Sequence, residues 1–228
     1  MRLMNLEVLS KNISNNLKRE LNLDEDKRSI IEYGIFAFFQ MVISILLVAI
    51  VGFIFNVMIE ALIVSFSGAI LRKFSGGAHA NTSVNCIISG TLMSVIPAYI
   101  LNNIYLNKNY VVICGILLYI ISFKIIYKLA PVDSPNKPIK KRGKIKRLKR
   151  GSIIILSIYM LLVFINVIIY YIKDMNLMLV YSSCIYVGIL WQVFTLTKYG
   201  HVVVNKIDSL LIKFFNIVRP ANNSQVKN

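Results

Sequence analysis

Long apolar runs separated by short polar stretches set the pattern of this chain. Six runs stand out, at about residues 30–55, 57–71, 86–106, 110–127, 152–172 and 177–196. They match the length an α-helix needs to cross a hydrocarbon core of ~30 Å. A backbone in lipid must satisfy its own N–H and C=O groups, so each run is predicted as a helix. The run at 57–71 is the shortest and contains Glu60. At ~1.5 Å per residue it barely reaches across a bilayer, which predicts a tilted, membrane-thinning or re-entrant segment.

The two flanks have a different pattern. Leu6, Leu9, Ile13, Leu17 and Leu21 recur at spacings of three and four, opposite Lys11, Asn15, Lys18 and Arg19. Near the other end Val203, Ile207, Leu210, Leu211, Phe214 and Val218 form a stripe opposed by Lys206, Asp208 and Lys213. Both read as amphipathic helices, lying on a membrane surface or packed on the protein's own loops. No internal repeat is visible. The predicted fold is therefore all-α, a polytopic integral membrane protein of about six hydrophobic helical segments. One membrane-embedded domain is expected over residues 1–220. It comprises an N-terminal amphipathic segment (1–28), a helical bundle (30–197) and a C-terminal amphipathic helix (201–218), with a polar tail at 219–228.

Composition agrees with that pattern and adds a direction. The 228 residues are 57% hydrophobic with mean hydropathy +0.67, more apolar than a soluble domain requires. Residues 1–28 are polar and carry acids, unlike a cleaved signal peptide. The net charge of +16 lies between the apolar runs, which argues for membrane lipid rather than nucleic acid as the surface it meets. With the N-terminus in the cytoplasm and six crossings, 24 of the 26 Lys and Arg residues fall inside, leaving only Lys108 and Lys173 outside. That is the positive-inside bias. It predicts a multi-pass cell-membrane protein with both termini, and the segment from Arg72 to Cys86, at the cytoplasmic face.

One polar segment carries candidate chemistry. Arg72-Lys73-Phe74-Ser75-Gly76-Gly77-Ala78-His79-Ala80-Asn81-Thr82-Ser83-Val84-Asn85-Cys86 brings one of two histidines within seven residues of one of three cysteines. A thiol becomes a nucleophile when a base takes its proton. On one continuous helix His79 and Cys86 would stand ~10 Å apart along the axis, too far for a hydrogen bond. A Cys–His pair therefore needs a helix that begins between them. Gly76-Gly77 permits a turn, and Asn81, Thr82 and Ser83 are suitable N-cap residues. With Thr82 or Ser83 as cap, Cys86 falls in the first turn, where the helix dipole favours a thiolate. Backbone N–H groups there are candidates for an oxyanion hole. Arg72 would add positive field or hold a substrate carboxylate. Spacing alone leaves the plainer reading open: an interfacial histidine, a packing cysteine, anchoring cations and an ordinary glycine turn. Cys114 and Cys184 lie in apolar runs and read as small hydrophobes; no disulfide framework is indicated. No metal site or cofactor is expected, since there is no HExxH and His201 has no clear ligand partner.

This segment resembles the accessory gene regulator B (AgrB) family of quorum-sensing membrane endopeptidases, which carries an Arg, then Gly-Ala-His, then a Cys seven residues after the His. Here these are Arg72, Gly77-Ala78-His79 and Cys86. Ala130-Pro131-Val132-Asp133-Ser134-Pro135-Asn136-Lys137-Pro138-Ile139 looks like the family's Ala-Pro…Lys-Pro-Ile loop after the fourth segment. The resemblance implies a cysteine endopeptidase that cuts an AgrD-type precursor peptide near its C-terminal side. Cys86 would be the nucleophile and His79 the base, with ring closure of the product to a thiolactone or lactone. It also implies self-association as a homodimer.

The third partner of a Cys–His site is open. Asp133 is the acid of the 130–139 loop and a candidate orienter of His79; Asn81 and Asn85 are alternatives. Lys137, Lys140, Lys141, Arg142 and the basic residues up to Arg150 read as an orientation signal that binds anionic lipid, and also as an attractor for an acidic peptide tail. Prolines 131, 135 and 138 stiffen that loop, and Pro97 predicts a kink in the third run. A transporter, suggested by Glu60 and Pro97, and a noncatalytic peptide-binding membrane protein are the competing readings.

Overall fold

The computed structural model describes residues 6–78, 82–132 and 142–218, the last five of these by backbone alone. The described residues form eight helices: α1 (Leu6–Leu21), α2 (Glu25–Ile54), α3 (Met58–Ser75), α4 (Ser83–Asn103), α5 (Lys108–Leu129), α6 (Arg142–Lys173), α7 (Asn176–Phe194) and α8 (Lys198–Val218). The six apolar runs correspond to α2 through α7, and the two amphipathic flanks to α1 and α8. The fold is all-α and polytopic, as the pattern predicts. Five helices, α2, α4, α5, α6 and α7, are long and apolar enough to cross a membrane.

The chain divides into two compact units, residues 1–47 and 48–228. In the first, α1 and the start of α2 are joined by polar contacts. Lys18 Nζ donates to Glu25 at 2.6 Å, and Arg28 reaches Glu25, Glu32 and the Ser14 hydroxyl.

In the second unit α3 is the central element. Val57 and Ala61 cluster with Val48 of α2 and with Val95 and Ala98 of α4. Further along, Val64 packs with Val180 and Cys184 of α7. Close approach of α3 and α7 depends on Gly188, where a Cβ would lie 2.6 Å from the Val64 carbonyl oxygen. Tyr159 of α6 donates its hydroxyl to the Ser67 carbonyl at 3.0 Å. At its far end Leu71 joins a cluster with Ile126, Leu156, Ile189 and Val193. The short run at 57–71 is thus part of one continuous helix of 18 residues, Met58–Ser75. It is buried on several sides and carries Glu60, Ser67 and Ser75 inside the protein.

From α3 to α7 the helices alternate in direction. α5 and α6 are antiparallel, with Lys149 over the Tyr127 ring at one end and Lys108 over the Tyr171 ring at the other. α3, α5 and α7 all finish at one end of this unit, and α4 and α6 begin there. Gly151 of α6 packs against Phe74 of α3, which places the start of α6 at the same end. The basic run is helical from Arg142, so its second half is the exposed first turns of α6 rather than part of a loop. At 32 residues α6 rises ~48 Å, well beyond a ~30 Å core, which leaves these turns room to project.

Candidate active site

The end where α3, α5 and α7 finish holds the segment singled out by spacing. α3 ends at Ser75, and Gly76 N–H closes its last turn on the Arg72 carbonyl at 2.9 Å. The chain then turns sharply. Gly76 has φ +70° and ψ −152°, and Gly77 has φ +130°, values that glycine tolerates and other residues resist. Gly76 forms a parallel bridge with Val132, whose N–H donates to the Ser75 carbonyl at 2.9 Å. The Ala-Pro loop after α5 is therefore physically joined to the Gly-Gly turn after α3. The two motifs, over fifty residues apart in sequence, meet here.

α7 supplies the floor. Gln192 Nε2 donates to Ser75 Oγ at 2.9 Å and to the Gly76 carbonyl at 2.6 Å. Ala78 N–H donates to the Thr195 carbonyl at 3.2 Å. Gly77 is seated so closely that a Cβ there would stand 2.7 Å from Thr195 Oγ1. Gln192 and Thr195 are themselves buried. Sequence reasoning did not single them out. A glutamine inside the run at 177–196 was the available signal, because a polar group within an apolar span is costly unless it has partners.

Arg72 lies in the last turn of α3 and donates through Nη2 to the Ala78 carbonyl, closing the turn from inside. Its Nε is buried and has no hydrogen-bond partner among the described residues. Cys86 of α4 lies near enough to interact with its charge.

α4 begins at Ser83 with Thr82 as N-cap. Thr82 is extended, at φ −121° and ψ 149°, and its Oγ1 accepts from Asn85 N–H at 3.2 Å. Cys86 N–H donates to the Thr82 carbonyl at 3.0 Å. A helix start between His79 and Cys86 is what the spacing required, and Thr82 provides it. The N–H groups of Ser83 and Val84 precede the first intrahelical bonds and point out of the helix end. Cys86 is partly exposed, whereas Cys184 is buried and Cys114 is exposed on α5.

Asn85 is buried at the start of α4. Its Nδ2 donates to Asp208 Oδ1 of α8 at 2.6 Å. The sequence pattern placed Asp208 on the polar, solvent side of α8; the structure buries it, with 1% of its surface exposed. One helical stripe cannot distinguish a polar face turned to water from one turned to a neighbouring helix.

His79, Asn81, Asp133, Lys137, Lys140 and Lys141 lie outside the described residues. Arg142 is exposed at the start of α6. Glu60 is buried near the start of α3, twelve residues before Arg72 and so ~18 Å away along the helix, outside the site. Among the described residues no three His, Cys, Asp or Glu side chains gather as a metal site.

The family model described as Accessory gene regulator B matches residues 10–196. A putative AgrB-like protein of Clostridium perfringens is 39% identical over 211 residues, covering 91% of this chain and 99% of that protein. The accessory gene regulator protein B of Staphylococcus aureus strain MW2 is 28% identical over 181 residues, 79% of this chain and 88% of its own. No solved structure matches.

Proposed function

The chain belongs to the accessory gene regulator B family, and from that premise we propose that it is a membrane-embedded cysteine endopeptidase of quorum sensing. Its substrate is an AgrD-type precursor peptide, cut near the C-terminal side. The observation that carries the reading is the position of Cys86: in the first turn of α4, behind a Thr82 cap and near the half-buried Arg72.

The chemistry follows from that position. His79 takes the proton of the Cys86 thiol, and the sulfur attacks the scissile carbonyl carbon. The oxyanion that forms is met by the N–H groups at the start of α4. The C–N bond then breaks, His79 protonates the departing amine, and the acyl group remains on Cys86 as a thioester. A thiol or hydroxyl of the precursor attacks this thioester and releases the Cys86 thiol, giving a thiolactone or lactone without ATP. Exclusion of water from the site favours ring closure over hydrolysis.

The remaining assignments belong to the same proposal. The protein is a homodimer of the cell membrane, with the site and both termini at the cytoplasmic face and anionic lipid around its cationic turns. Lys137, Lys140, Lys141 and Arg142 draw in the acidic end of the precursor, and replacing them with glutamine raises KM more than it lowers kcat, with a salt dependence to match. Residues 1–220 act as one peptidase domain.

Co-expression with the precursor tests the reading. Cleavage is expected with the wild-type chain and is lost in Cys86→Ala and in His79→Ala, while membrane insertion persists. Cleavage retained by Cys86→Ala sinks the mechanism.

A further inference from the structure

The mechanism above gives no task to Asp208, although it is the one carboxylate of α8 and is buried. A charge withdrawn from water is costly unless something at the site receives it. Two features do. The Asn85 side chain donates to it at 2.6 Å, and the bond places the carboxylate at the N-terminal end of α4, where the helix dipole favours negative charge.

Asn85 is held twice. Its backbone N–H is fixed by the Thr82 cap and its side chain by Asp208. The next residue is Cys86. The cap sets where α4 begins, but it does not set how the first turn is rolled about the helix axis. The bond to Asp208 does, because its other end is anchored outside α4. α8 lies beyond residue 196, where the match to the family model ends, and yet it contributes a buried group one residue from the nucleophile.

We propose that Asp208 is a positioning residue for Cys86: through Asn85 it fixes the roll of the first turn of α4, which makes α8 part of the site. The inference rests on the peptidase reading for its consequence in turnover, and on geometry alone for its consequence at the thiol. If α8 were only a membrane-surface helix, Asp208 would be replaceable.

The test uses the full chain, purified in detergent, with synthetic precursor peptide. Asp208→Ala is expected to lower kcat about tenfold or more with KM within about twofold, since misplacing a nucleophile by a fraction of an ångström costs rate rather than binding. The exchanged pair Asn85→Asp with Asp208→Asn keeps an amide–carboxylate bond between the two helices and is expected to recover kcat to within about threefold. A structural role alone gives lower thermal stability in Asp208→Ala without recovery of kcat in the exchanged pair. A second readout needs no peptide: iodoacetamide labelling of Cys86 against Cys114 as the internal reference. The rate ratio is expected to shift at least about threefold in Asp208→Ala and to return in the exchanged pair. A kcat within twofold of wild type in Asp208→Ala, or an unchanged labelling ratio, overturns the inference. A wild-type chain that cleaves no precursor sinks the peptidase reading, and the labelling ratio still decides Asp208.

Discussion

Gly76 sits where a side chain has no room. Its φ of +70° with ψ of −152° lies in a region open essentially to glycine. A Cβ there would also run into the Val132 carbonyl oxygen. Gly76→Ala is therefore expected to destabilise the protein by about 1–3 kcal/mol, as a lowered melting temperature in detergent, and to part the two motif loops. Gly90→Ala is the control. Gly90 lies inside α4 with no atom within 4 Å of a built Cβ, so replacing it is expected to leave stability unchanged or raise it by up to about 1 kcal/mol. At this scale the sequence was legible where the chemistry is contiguous. Arg72, the glycine pair and Cys86 stand within fifteen residues, and the helix break between them follows from helix rise alone. Gln192, Thr195 and Asp208 were not legible as partners, because each arrives from a helix more than a hundred residues away.

Among the elements, the ends of α3, α4 and α7 matter more than their lengths. α4 can only present Cys86 in its first turn if it starts at Ser83, and the Thr82 hydroxyl makes that start definite. Thr82→Ala is expected to cost about 1 kcal/mol, and Thr82→Ser much less, since serine retains the accepting oxygen. The same series is expected to lower precursor processing in the same order, measured by mass spectrometry of the released product. Gln192 is the larger test. It satisfies the Ser75 hydroxyl and the Gly76 carbonyl together. Gln192→Leu removes both bonds while keeping the volume, and leaves two buried polar groups without their donor. The expected cost is roughly 2–6 kcal/mol at 1–3 kcal/mol per orphaned group. Unchanged stability in Gln192→Leu would mean that Val132, Thr195 and Arg72 hold the loop without it. Hydropathy predicted that a helix occupies 177–196, but not that its last two turns form the floor of a site. Amphipathic pattern likewise placed α8 without revealing what covers its polar side. Periodicity reports how apolar a face is, not what lies against it.

For the molecule as a whole, direction counts for more than the number of apolar spans. Five helices meet the length and composition of a crossing, and α3 is not one of them. Five crossings would put the termini on opposite faces, and the distribution of Lys and Arg would then make little sense. Yet α3 runs from Val57, packed beside Val95 and Ala98, to Ser75, bonded to Gln192 at the other end of α7. It reverses the chain as a crossing does, with Glu60 buried inside the protein and Arg72 bonded to the turn that follows, while Ile59, Phe66 and Ile70 face outward. That geometry supports six reversals and gathers the turn at 76–78, the first turns of α6 and the start of α8 at one face. Site-directed labelling tests it. In a background of Cys86→Ala, Cys114→Ser and Cys184→Ala, single cysteines are introduced at Lys11, Tyr105 and Lys146, all exposed. A membrane-impermeant maleimide applied to inverted and right-side-out vesicles is expected to label Lys11→Cys and Lys146→Cys from the cytoplasmic side, and Tyr105→Cys from the outer side. Labelling of Lys11→Cys and Lys146→Cys from opposite sides would show that α3 does not carry the chain across. It would then separate the cationic turns of α6 from the N-terminal helix, and leave the positive charge on both faces of the membrane.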